Sequence, residues 1–205
     1  MSYVGEFSAL SAAFLWSFSS FLFTSVAIKI GTMQLNISRI FLALFLLTLT
    51  ILIFDINYNV TIEQTIMLSI SGIIGLVIGD TYLFRAFKEI GPRISMLVMS
   101  LNPAMAAILA YIVLNEVISL WGILGIIITI SGISLVVMEK PKNEDSKFKI
   151  TKKGVVFALI AAIGQAVGLI FAKVAYNSGD IHSLTATFIR RSEEHTSELQ
   201  SPNTI

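Results

Sequence analysis

The sequence predicts an all-α polytopic membrane protein, built as one five-helix transmembrane repeat followed by the truncated start of a second, inverted repeat. Three observations carry this. First, 55% of the 205 residues are hydrophobic and only 13% are charged, against about 25% charged in an ordinary soluble domain. A single buried core cannot use that much apolar surface, so lipid is the solvent. Second, the apolar residues fall in runs of about 20, the length at 1.5 Å rise that crosses about 30 Å of hydrocarbon. Third, GVVFALIAA (Gly154 to Ala162) lies under GEFSALSAA (Gly5 to Ala13) without a gap, matching Gly, Ala, Leu, Ala and Ala.

Phe7 to Ile28 is the first expected span. It is too long for a cleaved signal peptide and no basic segment precedes it, so it reads as a retained helix. Leu35 to Phe54 is the second span, DINYNVTIEQ a polar loop, and Thr65 to Phe84 the third. Ile94 to Leu114 and Leu120 to Met138 are the fourth and fifth. Only a few residues around Asn115 and Glu116 separate them, so they form a tight antiparallel hairpin. Ser119 is the expected N-cap of the fifth, with Trp121 at headgroup level.

Residues 139–153 read EKPKNEDSKFKITKK, a charged, solvated linker and the domain boundary between residues 1–138 and the second unit. A sixth span runs from Gly154 to about Tyr176, and another apolar run begins at Leu184. TFIRR around Arg190 falls near the place of NISRI around Arg39, allowing a two-residue shift. Because five is odd, the second copy enters the bilayer from the opposite side, the inverted repeat that many transporters share. Residues 154–190 are thus the opening of that copy. The remainder, 191–205, begins RSEEHTSELQS, which resembles a translated sequencing-library adapter and is expected to be non-native; His195 then carries no weight and His182 is the remaining histidine.

Several function classes are excluded. The chain has no cysteine, which removes disulfides, thiolate nucleophiles and cysteine zinc sites. A net charge of +1 argues against nucleic acid as partner. The glycines of SGIIGLVIGD, chiefly Gly75 and Gly79, and Gly164 with Gly168, have small-xxx-small spacing. That permits close helix approach rather than phosphate binding, since no GK[ST] follows. No cofactor or metal site is expected. An enzyme would need convergent acid, base or metal groups, and the spans offer Asp80 and little else.

Asp80 is the most informative residue, because a carboxylate inside a span costs about 2.5 to 3.5 kcal/mol on insertion scales and persists where it faces a cavity or a partner. It either contacts substrate or proton, or hydrogen-bonds a neighbouring helix. Arg39, about one turn into the second span, either lines the path or snorkels to the headgroups, and snorkelling is the favoured expectation. Pro103, near the middle of the fourth span, removes a backbone hydrogen bond and kinks the helix, either lining a pathway beside Asn102 or fixing the packing. Trp16 is mid-span, a lining ring or plain packing. Glu116 stands at a turn near water, where it caps the next helix or pairs with a loop lysine.

The stretch GDTYLFRAFKEIGPRISMLVMSLNPAMAAILAYIVLNEVISLWGILGIIITISGISLV resembles the EamA-like, ten-helix branch of the drug/metabolite transporter superfamily. Gly79 and Asp80 with Phe84 to Phe87, then Asn102 and Pro103, then Leu114, Asn115 and Glu116 carry the resemblance, followed by Gly122 and Gly132. Trp16 and Arg39 also fall where the family tends to place them. Asn115 departs from the family's usual glycine. The resemblance implies two inverted halves with a substrate path between them and secondary transport of small metabolites across the cell membrane, of the prokaryotic inner or plasma-membrane kind. The alternatives are a structural or sensory membrane subunit, or a half-size subunit acting as a homodimer. Lys29, Arg85, Lys88, Arg93 and the six lysines from Lys140 to Lys153 fall on one side, which the positive-inside rule makes cytoplasmic, with the N-terminus outside. The resemblance implies the reverse.

Overall fold

A computed structural model describes residues 3–56, 59–138 and 148–199. Among these residues all regular structure is helical: α1 (Val4–Ile30), α2 (Thr32–Ile53), α3 (Ile62–Gly72), a π-helical segment (Ile73–Ile78), α4 (Gly79–Met99), α5 (Asn102–Leu114), α6 (Leu120–Met138), α7 (Lys152–Asn177) and α8 (Ser183–Leu199). Five stretches are long and apolar enough to cross a membrane: Leu10–Ile30, Thr32–Ile53, Ile62–Met99, Leu120–Met138 and Lys152–Asn177. The chain is a multi-pass membrane protein.

Two glycines make the sharp turns on one face of the bundle. Gly31, at φ 92°, joins α1 to α2 without another connecting residue. Gly91, at φ 79°, interrupts α4 just before Pro92. Both angles lie in the left-handed region that only glycine enters freely. The third span therefore runs from Ile62 to the Gly91 turn, well beyond the expected Phe84, and the fourth starts directly after it. Residues 148–151 lie on this same face. Phe148 packs on Gly91, Gly154 packs on Ile90, and Lys153 reaches Glu89 at 3.6 Å. The expected linker lies mostly outside the described residues, and α7 begins at Lys152 with Thr151 accepting a hydrogen bond from the Gly154 N–H at 3.1 Å.

At the opposite face, Thr61 and Gln64 cap α3 reciprocally, at 3.2 Å and 3.0 Å. This is the capping box that satisfies two orphan backbone donors. The Gln64 side chain also donates to the Gly179 carbonyl at 3.0 Å, which pins the start of α3 to the end of α7. Ser119 caps α6 through the Gly122 N–H at 3.1 Å, as its sequence position predicts. Asn115 ends α5 in the left-handed conformation at φ 53°, which asparagine tolerates better than other side chains. Its presence in place of glycine is thereby explained.

The core lies around α7. In its most apolar window 44% is buried, against 6% for α6. Gly164 and Gly168 let its backbone approach the π segment: a Cβ on Gly168 would stand 2.7 Å from Gly75 Cα, and one on Gly164 3.1 Å from the Ile74 carbonyl. The small-residue spacing serves close helix approach, as expected. Ala27, Leu35, Leu83, Phe84, Phe87, Met99, Ala161 and Ala162 form the central apolar cluster. Since Gly154 meets α4 at the Gly91 face, and α1 reaches that face with its C-terminal Lys29, α7 runs antiparallel to α1. Helix α8 continues beyond Arg190 to Leu199, and residues 200–205 lie outside the described residues.

Candidate functional site

The π segment ends at Ile78, and Asp80 stands in the first turn that follows. An i→i+5 stretch takes up an additional residue and re-aims the side chains after it, and such segments recur at functional sites. Here it directs Asp80 into the bundle, where the residue is 1% exposed. Asp80 precedes the Gly91 turn by about three helical turns, about 16 Å at 1.5 Å per residue.

Asp80 Oδ2 accepts a hydrogen bond from Arg39 Nη2 at 2.6 Å, and Oδ1 accepts one from Gln165 Nε2 at 2.7 Å. Arg39 Nη2 also donates to Asn36 Oδ1 at 2.8 Å, one turn back on α2. The Asn102 amide donates to Gln165 Oε1 at 3.4 Å. Asn102, Gln165, Asp80, Arg39 and Asn36 thus form one hydrogen-bonded chain through α5, α7, α4 and α2. A charge removed from water needs both a counter-charge and hydrogen bonds, and Asp80 receives both.

Arg39 does not snorkel. Its side chain is 12% exposed, and its guanidinium carbon lies 5.0 Å from the Phe84 ring centroid and 5.9 Å from that of Phe23. The buried carboxylate across the helix pair draws the cation inward, which outweighs the reach to the headgroups. The kink expected at Pro103 lies two residues earlier. The helix breaks at Ser100 and Leu101, and Pro103 sits in the first turn of α5, where proline is accommodated. This break places Asn102 at the start of α5.

Trp16 continues the inward stripe of Ser20, Phe23, Thr24 and Ala27 at helical spacing, one turn further along α1, yet is 38% exposed. It is not a member of the hydrogen-bonded chain. Glu116 pairs with Lys173 of α7 at 2.6 Å rather than with a loop lysine, tying the α5–α6 connection to α7 at the opposite face from Gly91.

Asn36 and Gln165 were not evident as site residues from the sequence. Their signal was present: each is an amide inside an apolar run, Asn36 three residues before Arg39, and Gln165 opposite Trp16 in the ungapped alignment of Gly154 under Gly5. Among the described residues no three His, Asp or Glu side chains gather as a metal site.

A model of the EamA-like transporter family matches residues 3–138. No curated protein and no solved structure matches the chain. The matched region holds α1 to α6, including Asn36, Arg39, Asp80 and Asn102, and leaves Gln165 to the segment that follows. With two thirds of its length covered by that match and its apolar spans in place, the chain belongs to the EamA-like transporter family, a family of membrane transporters.

Proposed function

We propose that this protein is a secondary transporter of small metabolites in the cell membrane, of the prokaryotic inner or plasma-membrane kind, with its substrate path beside Asp80 between α1–α6 and the helices α7–α8. The observation that carries this reading is the Asp80–Gln165 hydrogen bond. A membrane-buried carboxylate is costly and characteristically marks a substrate or ion pathway, and this one is shared between the family-matched unit and the helix that opens the second. The broken helix at Ser100 and Leu101, adjoining the same cluster, has the form of the discontinuous helices that line transporter sites.

The antiparallel course of α1 and α7, which carry the matching GEFSALSAA and GVVFALIAA segments, supports an inverted repeat. With no nucleotide motif, the driving force is a gradient or facilitated diffusion. Lys29, Arg93, Lys149, Lys152 and Lys153 fall at or beside the Gly91 face, and the positive-inside rule makes that face cytoplasmic.

The test is flux into proteoliposomes holding the full chain, with a panel of radiolabelled amines, amino acids and sugars. At least one solute should enter faster than into empty liposomes, and Asp80→Asn should reduce that flux at least tenfold. Flux unchanged by Asp80→Asn would refute the path assignment.

A further inference from the structure

Asp80 is held by donors, the Arg39 guanidinium and the Gln165 amide, and acceptors lie one step further out. The Gln165 amide nitrogen donates to Asp80, and the Asn102 amide nitrogen to Gln165 Oε1. Asn102 Oδ1 is buried and has no hydrogen-bond partner among the described residues. The Met99 carbonyl lacks the usual donor four residues on, because position 103 is proline and has no N–H. The Phe84 and Phe23 rings flank the Arg39 guanidinium, and ring faces attract cations. Asn36 Oδ1 completes the set on the Arg39 side.

An anion arriving here would meet the Asp80 carboxylate and the unpartnered Asn102 Oδ1. A cation would meet the groups that already hold a guanidinium. We propose that this centre is a binding site for a small organic cation, a primary ammonium or a guanidinium, and that Arg39 is the resident occupant that the substrate displaces from Asp80. The proposal rests on the transport reading and names its substrate class. Arg39 lies just over two helical turns from Gly31, about 12 Å, and its long stem lets the displaced guanidinium swing toward the Gly91 face. Asp80 exchanges one cation for another and is never left unpaired.

The test compares three probes sharing one ring: benzylammonium, benzyl alcohol and benzoate. Binding to the purified full chain in lipid nanodiscs is measured by calorimetry and by the rise in thermal midpoint. Benzylammonium should bind saturably, and the other two should not. Asp80→Asn should weaken that binding at least tenfold, and Arg39→Gln should tighten it about tenfold or more, because removing a competing occupant raises the fraction of open sites. Should Asp80→Asn fail to fold, Asp80→Asn with Arg39→Gln removes both charges together and must likewise fail to bind benzylammonium.

Saturable, Asp80-dependent binding of benzoate or benzyl alcohol without benzylammonium would overturn the cation assignment while leaving the transport reading standing. Absence of Asp80-dependent binding by all three would overturn it too, and the flux measurement then decides the transport reading separately. Arg39→Gln that weakens benzylammonium binding would contradict the displacement.

Discussion

Gln165 of α7 donates its side-chain amide to Asp80 of α4 at 2.7 Å, across 85 positions of sequence. Gly79 is what allows the approach: a Cβ there would stand 3.0 Å from Gln165 Cγ. Glycine beside aspartate at 79 and 80 is therefore a single steric and electrostatic arrangement.

Breaking a buried ion pair by removing one partner costs about 3 to 5 kcal/mol, because the remaining charge is left uncompensated. Asp80→Ala is expected to destabilise the folded chain by this order in denaturant titrations in micelles. Asp80→Ala with Arg39→Ala should cost less than the sum of the two single changes, a double-mutant coupling of about 1 to 3 kcal/mol. Additive effects would mean that the pair contributes no mutual interaction.

The glycine seam gives a contrast within one residue type. Gly168→Val drives a side chain into the backbone at Gly75 and Ser71, and overpacking of this kind costs about 1 to 3 kcal/mol. Gly125 and Gly132 on α6 face open space. Gly132→Ala should be neutral or stabilise by up to about 1 kcal/mol through helix propensity. Thermal midpoints of the two variants should move in opposite directions or by clearly unequal amounts.

At the turns, backbone conformation rather than space decides. Gly91→Ala is expected to destabilise by about 1 to 2 kcal/mol from its left-handed φ, with a further cost as Phe148 is displaced. Asn115→Gly should be tolerated within about 0.5 kcal/mol, whereas Asn115→Val at φ 53° should lose about 1 kcal/mol or more. Circular dichroism melts of the variants check the order.

Glu116 and Lys173 form a close pair, but both remain over two-fifths exposed. Exposed pairs contribute about 0 to 1 kcal/mol and are screened by salt. Glu116→Gln should therefore change stability by less than about 1 kcal/mol, and the difference from the parent should shrink in high salt. A larger loss that persists in salt would give the pair a structural weight beyond its exposure.

Most of the helix layout was legible in the sequence, because about 20 apolar residues between polar punctuation is a constraint set by bilayer thickness. α6 agrees to the residue with the expected Leu120 to Met138, and α7 lies within two residues of its expected ends. The third span is longer than the sequence predicts because Arg85, Lys88 and Glu89 have the charge of a loop, though a helix can carry them past the hydrocarbon before Gly91 turns it. The π segment was not legible, since the additional residue it takes up leaves no compositional mark in IIGLVI. Arg39 departs from the snorkelling expectation for a related reason. Snorkelling is a local argument, and the charge that overrides it lies 41 positions away on another helix. Gln165 is not legible as a site residue because an amide in an apolar run gains meaning only beside the carboxylate it serves.

A substrate path at Asp80 requires that water reach the cluster, and the absence of cysteine from the sequence allows this to be measured directly. Asn102→Cys, at the half-buried α5 end of the cluster, is compared with Leu135→Cys on the exposed side of α6, where Leu135 is 73% exposed, using a water-soluble cationic methanethiosulfonate on the full chain in vesicles. Asn102→Cys should react at least tenfold faster than Leu135→Cys, since thiol modification requires water and an ionised thiol. Equal inertness at both positions would show a dry, packed centre and contradict a path at Asp80.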